Sequence, residues 1–465
     1  MHFTSYFRGG HMSPARTEDF TPEKFIKQNL YQILRKMASA KPNMNVVFVG
    51  HVDHGKSTTI GRLMYDSGMI PENEMNKLRE EAIKHGKAGF EFAFAMDRFK
   101  EERERGVTID LSYQKLVTNK FQITIIDAPG HKDFVKNMIT GTSQADAAFL
   151  TVAADGGVQP QTKEHLWLLR TMGVAQIAVV INKMDTVDYK EEKFNAVKEE
   201  LSKLLTAVGI KADETLFIAA SALKGDNIAK KSENMGWYKG PTILEQLDKF
   251  NPPEKPTTLP MRMPCQDVYE ITGIGTVPVG KIETGIMKIG QKVIVLPGRS
   301  GKGIAGEVKT IEMHHEQMNE AQAGDNVGIN IKGIGKKDIA RGDVICDAAK
   351  PATIAEEFTA QIAVINHPTV IAKGYTPVFH VHTAQVPCQL LEIVSKLDPK
   401  TGAESAKNPD FIKNGDVAIC RFKPIGNLVI EKQADNPNMS RFAIRDAGAT
   451  VSAGMCTDLV AKKLA

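Results

Sequence analysis

Eight consecutive residues, Gly50-His51-Val52-Asp53-His54-Gly55-Lys56-Ser57, carry two glycines, a lysine and a hydroxyl at the spacing G-x-x-x-x-G-K-[ST]. Gly50 and Gly55 let the backbone curl so that successive N–H groups, running on to Thr58, point at phosphate oxygens. Lys56 can reach the β- and γ-phosphates of a nucleotide, and the Ser57 hydroxyl is a hard oxygen ligand for Mg²⁺. A glycine-rich turn can match this pattern by chance. Here the apolar run 45–49 reads as a buried parallel strand before it, and residues 58–65 can continue as a helix after it, which is the context the chemistry needs.

Further residues extend this chemistry. Asp127, at the tip of an expected strand 121–126, can hold Mg²⁺ through water, and Gly130 lets a backbone N–H approach a γ-phosphate and register its loss. His131 follows. A loop histidine is ordinarily only solvated, but one residue past such a sensor its imidazole could position an attacking water, with Val52 as an apolar barrier. Upstream, the charge run 100–105 reads by default as a solvated helix face. Thr108 beyond it offers a second Mg²⁺ hydroxyl and a γ-phosphate N–H, so its segment should order with triphosphate and release with diphosphate. After an expected strand 177–181, the Asp185 carboxylate can accept from guanine N1–H and N2–H₂, a donor pair that adenine lacks. Lys183 can lie along the base, and Asn182 can tie this loop to the phosphate loop. Ser221-Ala222-Leu223 can supply an N–H to guanine O6. Together these residues read as a site for GTP and GDP with Mg²⁺.

The elements that must position them follow from length and pattern. A chain of 465 residues with 42% hydrophobic content suggests roughly three domains with sizeable cores. A net charge of +4 does not by itself mark a nucleic-acid binder. Five scattered cysteines without C-x-x-C spacing indicate neither a zinc site nor a disulfide framework, and fit a reducing cytoplasm. Apolar runs such as 147–154 are far short of a membrane span. Residues 1–36 read as an N-terminal extension with one short amphipathic helix. They are expected either to precede a natural start near Met37 or to dock a partner, with the first reading preferred. Residues 43–250 alternate strand and helix (strands 45–49, 121–126, 146–153, 177–181 and 215–219) as a P-loop domain with a mostly parallel sheet does. The prolines of 251–256 mark a stiff connector. Short glycine-punctuated strands then suggest two antiparallel β-barrels, 256–347 and 352–465. The expected class is multidomain α/β plus all-β.

The motifs GHVDHGKS at 50–57, DAPGH at 127–131, KNMITGTSQAD at 136–146 and NKMD at 182–185 resemble the translational GTPase family. So do GTVPVG at 275–280, EMHH at 312–315, AGDNVG at 323–328 and RFAIRD at 441–446. The likeness covers about 43–454. His54 and the short 154–162 connection are of the archaeal kind, Ser440 departs from the usual residue, and 1–36 have no counterpart. The resemblance implies GTP hydrolysis with His131 as the water-positioning catalytic residue, gated by Val52 and Val107. It implies GTP-dependent delivery of aminoacyl-tRNA to the ribosomal A site, a guanine nucleotide exchange factor, and a cytoplasmic monomer without a membrane. Glu312, His314 and Asn326 fall where the family receives the terminal adenosine and aminoacyl group, and Lys136 and Arg341 where it meets the tRNA 5′ end. From the residues alone, Lys136 and Arg341 read as solvated and Glu312 as a strand-face charge. The competing functions are delivery of a termination or ribosome-rescue factor, and regulation of a sulfate-activating enzyme.

Overall fold

The structure, a computed structural model, describes residues 41–97, 100–105, 107–314, 316–399 and 401–462. The helix expected within 1–36 lies outside them. Strand β1 (Asn43–Val49) is buried from Met44 onward because both of its faces are covered. Val46 and Phe48 join one apolar cluster, and Val47 and Val49 the other. With β2 (Ser112–Val117), β3 (Gln122–Asp127), β4 (Ala147–Ala153), β5 (Gln176–Asn182) and β6 (Leu216–Ala219) it forms a sheet in the order β2-β3-β1-β4-β5-β6. All neighbours run parallel except β2, which is antiparallel to β3. β2 was not among the expected strands. It is an edge strand in which only Ser112 and Leu116 are buried, so its apolar signal is faint. Phe48 stacks on Phe149 at 4.9 Å and locks β1 to β4 at the sheet centre. Because β1, β3 and β5 run parallel, the loops after them open on one edge, and the reversal of strand order about β1 parts them there, where α/β sheets hold ligands.

Residues 251–256 form neither helix nor strand. Beyond them the first antiparallel sheet runs in the order Arg262–Pro264, Val344–Asp347, Lys292–Leu296, Ile304–Met313, Asn326–Lys332, Gly275–Lys281, Asp267–Ile271. Its first member returns to the end of Gly275–Lys281, where the Arg262 N–H donates to Thr284 O at 3.0 Å and the Glu283 N–H to Arg262 O at 2.8 Å, so the sheet closes on itself. The second runs Val378–Val381, Arg441–Asp446, Ala449–Ala461, Ile354–Val364, Val417–Pro424, Ala384–Leu397, and closes by pairing Ala384–Leu397 with Val378–Val381. Phe358, Phe379, Phe422 and Phe442 fill this second barrel, with Phe379 at 4.8 Å from both Phe422 and Phe442.

Polar side chains hold these parts together. Asn43 Nδ2 donates to Asp325 Oδ1 at 2.9 Å, Asn45 Nδ2 to Gly324 O at 2.8 Å, and Lys281 Nζ to Gln144 O at 2.9 Å. Arg441 Nη1 of the second barrel donates to Met172 O, and Thr450 Oγ1 to Glu164 Oε1. The two barrels share an ion pair between buried Arg262 and half-buried Glu431, Nη2 to Oε1 at 2.8 Å. Among the described residues no helix is long and apolar enough to cross a membrane.

Candidate functional site

The turn after β1 delivers the phosphate-binding run to the start of the helix Lys56–Asp66. Gly55 has φ +86, and a Cβ there would lie 2.3 Å from Asn182 Nδ2, so both its conformation and its surroundings demand glycine. Lys56 is 6% exposed, with Nζ 2.9 Å from His51 O. Burial lowers its ammonium to about 8, against the pull of Asp127 and Asp53. A desolvated cation at the end of a loop of amides is a site for an anion. A Cβ on Gly130 would stand 2.8 Å from Gly50 O and 2.9 Å from the His51 carbonyl carbon, so only glycine lets the β3 loop close over the phosphate loop. His165 Nδ1 accepts the Gly50 N–H at 3.1 Å and steadies the turn from behind.

Asp127 ends β3 at 1% exposure, and burial pushes its carboxyl up to about 6. Neither of its oxygens receives a well-formed hydrogen bond. Ser57 Oγ lies close enough to ease the charge, and meets Thr108 Oγ1 at 3.1 Å. Nearby Asp97 is pushed up to about 7 by burial, with Glu102 and Asp127 adding repulsion. Two hydroxyls and an under-satisfied buried carboxylate are hard oxygen donors, and they fit a bound Mg²⁺.

Val52, Val107, Thr108, Gly130 and His131 line one cavity with Lys56 and Ser57. His131 Nδ1 accepts the Asp133 N–H at 3.3 Å, and the ring leans on Phe134.

On the other side of the phosphate loop, Asn182 Nδ2 donates to His54 O at 3.0 Å, the tie between loops expected of it. Asn182 Oδ1 accepts the Ala222 N–H at 2.9 Å. That amide, one of the three expected to face guanine O6, therefore also anchors Asn182. Asp185 Oδ1 accepts from Ser221 Oγ at 2.5 Å, which aims the carboxylate. Lys183 takes a left-handed φ of 59 and lines the cavity with Asp53 and Thr58. His54 is buried, and burial lowers its imidazole to about 4, so it is neutral at the loop.

Glu312, His314 and Asn326 line a separate cavity of about 510 Å³ that also takes in Tyr113 of the six-stranded sheet. His314 has φ 51 and Nε2 at 3.4 Å from Thr124 Oγ1. Asn326 Nδ2 donates to Asn45 Oδ1, so its amide also joins barrel and sheet. Lys136 and Arg341 are exposed, and Arg341 Nη2 donates to Thr140 Oγ1 at 2.9 Å on the helix that carries Lys136. Together with Arg445 they are the cations around buried His380.

The reading of 100–105 as a solvated face is corrected at Glu102. Glu102 is 2% exposed, and its Oε1 accepts the N–H groups of Ile109 and Asp110. Sequence reasoning also missed Asn137, whose Nδ2 donates to Ile109 O. A lone acid in a charge run gives no sign of burial; its nearness to Thr108 was the only available hint.

A nucleotide domain followed by two closed antiparallel barrels is the layout of a translation-factor GTPase. Residues 41–253 match the Elongation factor Tu GTP binding domain, 275–346 the Elongation factor Tu domain 2, and 357–457 the GTP-eEF1A C-terminal domain-like family. The chain is 58% identical over 430 residues to the Elongation factor 1-alpha of Methanocaldococcus jannaschii, and 55% identical over 428 residues to that of Methanoculleus marisnigri. Each match covers 92% of this chain and 100% of the relative. The S. cerevisiae Ski7 GTPase-like domain, bound to GTP, shares the fold at TM-score 0.75 and 18% identity, over 91% of this chain and 99% of that one. The chain belongs to the elongation factor 1-alpha family. It is a guanine-nucleotide-binding GTPase of translation elongation, and neither competing function is favoured.

Proposed function

We propose that this GTPase delivers aminoacyl-tRNA to the ribosomal A site in its GTP form and releases it on hydrolysis. The observation that carries the reading is the meeting of Ser57 Oγ and Thr108 Oγ1 at 3.1 Å beside buried Asp127, in the cavity that also holds His131. Ser57 and Thr108 would hold Mg²⁺ directly and Asp127 through water. When bound, the ion would spread the charge of the β- and γ-phosphates. Lys56 and the amides of 50–58 hold the phosphates, Asp185 reads guanine, and Gly130 and Thr108 sense the γ-phosphate. His131 orients the attacking water through its imidazole, with Val52 and Val107 restraining it until the ribosome engages.

The tRNA side follows from the two-part cavity. Glu312, His314 and Asn326 receive the 3′ adenosine and aminoacyl group, and Lys136 and Arg341 the 5′ phosphate. Because Asn326 and Arg341 also bond to the sheet domain, a change in the switch loops reaches the tRNA site. The domains are taken as 43–250, 256–347 and 352–465, acting as a cytoplasmic monomer. An exchange factor would free GDP from the phosphate loop between rounds.

The test is a salt titration of charged and uncharged tRNA binding in GTP and in GDP. Tight binding of charged tRNA in GTP alone is expected, and Lys136→Ala should lower the log–log salt slope by roughly one unit or less. Equal affinity in both nucleotides would sink the carrier reading.

A further inference from the structure

We infer that Glu102 is a positioning residue for the γ-phosphate sensor. Its buried carboxylate, with Asn137 opposite, clamps the backbone of Ile109 and so presents Thr108 to Ser57, while Asn137 passes that state to the first barrel through Arg341. The inference rests on the reading of Thr108 as the sensor.

Residues 107–110 belong to no helix or strand, so no backbone ladder holds Thr108 in place. Side chains hold it instead. Glu102 Oε1 accepts the Ile109 N–H at 2.8 Å and the Asp110 N–H at 3.2 Å. Asn137 Nδ2 donates to Ile109 O at 2.9 Å. Both backbone polar groups of the residue after Thr108 are therefore taken, one from each side. Glu102 is 2% exposed, while Glu101, Glu104 and Arg105 on the same short helix are exposed. A carboxylate is not buried without partners that repay its desolvation, and here two of the partners are amides of the switch segment itself. If Thr108 leaves Ser57, Ile109 must move with it and the carboxylate loses these two donors. Order in the segment and burial of Glu102 are thus one event.

The other end of the clamp leads out of the domain. Asn137 lies on the helix Val135–Ser143 at 8% exposure, and its Oδ1 accepts from Arg341 Nη2 at 3.4 Å. The same guanidinium nitrogen donates to Thr140 Oγ1 one turn on. A side-chain amide thus touches the switch segment with one atom and the first barrel with the other, so each contact biases the other.

The experiment uses the full chain as wild type, Glu102→Gln, Glu102→Leu and Asn137→Ala. GTP and GDP affinities are measured alongside hydrogen exchange of the peptide spanning 107–111. Gln keeps an acceptor oxygen for both amides and should stay within about threefold of wild type. Leu should lower GTP affinity about tenfold or more, leave GDP affinity within about twofold, and remove GTP-dependent exchange protection. Asn137→Ala should shift the same ratio in the same direction by less. Unchanged GTP/GDP preference and protection in both Glu102→Leu and Asn137→Ala would overturn the clamp. Equal loss of GTP and GDP affinity in both would overturn it as well, by reducing the residues to general stability. If Glu102→Leu does not fold, Asn137→Ala decides alone by the same two criteria. A wild-type segment equally protected in GTP and GDP would remove the sensor reading and the clamp with it; protection in wild type that persists in the variants removes the clamp alone.

Discussion

Asn326 donates its Nδ2 to Asn45 Oδ1 across 2.8 Å, and Asn45 in turn gives its Nδ2 to Gly324 O and its backbone N–H to Asp146 Oδ2. A side chain expected at a tRNA contact is thus also a bolt between the first barrel and the central strand of the nucleotide domain. If the bolt matters, Asn326→Ala and Asn45→Ala should each cost about 1 kcal/mol of unfolding free energy. The double variant should cost clearly less than their sum. Urea unfolding of the four proteins checks this, and full additivity would mean the pair does not couple.

Asp185→Asn should shift preference from guanine towards xanthine, because an amide donor replaces the acceptor that meets the base edge. Ser221 Oγ, which now donates to Asp185 Oδ1, can donate to the amide oxygen instead and keep the side chain aimed. Competition between GTP and XTP is the measurement, and unchanged selectivity would take Asp185 out of base reading.

His131→Ala should leave GTP affinity within a few-fold and cut ribosome-stimulated hydrolysis on the order of 100-fold or more, since the interaction is made mainly in the transition state. The ring packs on Phe134 and meets Asp133 only at an exposed edge, so its loss should leave the fold intact. Single-turnover rates equal to the parent would contradict the role.

Arg262 and Glu431 pair across the two barrels with side chains 4% and 12% exposed, and Arg262 Nη1 also donates to Lys350 O. Arg262→Met leaves half-buried Glu431 with only the Asn436 amide as a partner among the described residues and should cost about 2–3 kcal/mol. Replacing both partners with apolar residues should recover much of that. Thermal or urea unfolding of the single and double variants distinguishes the pair from packing alone.

His165 and His380 are both held at about 3, first by burial and then by nearby cations: Lys56 for His165, and Arg445, Arg341 and Lys136 for His380. The unfolded chain takes up a proton near 6.5, while the native sites stay neutral until about 3. The stability they contribute is therefore complete above 6.5 and lost as pH falls towards 3. The loss is roughly 1.4 kcal/mol per pH unit for each residue, or about 2 kcal/mol each at pH 5. Asp97 and Asp127, whose carboxyls are raised, act in the opposite sense over part of this window. The histidine share is therefore read from differences between proteins. His165→Gln and His380→Leu should each flatten the fall in urea midpoint between pH 7.5 and 5; a slope equal to the parent's would refute the assignment.

What the sequence determined alone is what depends on local order along the chain. The strand–loop–helix around Gly50 and Lys56, the loop tips at Asp127 and Asp185, and the change of texture after residue 256 are each written in a few consecutive residues. A buried strand, a turn needing glycine and a proline-rich connector all act over short range. The tertiary structure decided what depends on approach between distant segments. β2 was invisible because an edge strand needs little apolar alternation. Glu102 looked like its charged neighbours until the fold brought the amides of Ile109 and Asp110 to it. The second roles of Asn326 and Arg341 arise only where a barrel docks on the sheet. Burial of a polar group is favourable only when a partner arrives from elsewhere, and no pattern in the residues beside it records whether one does.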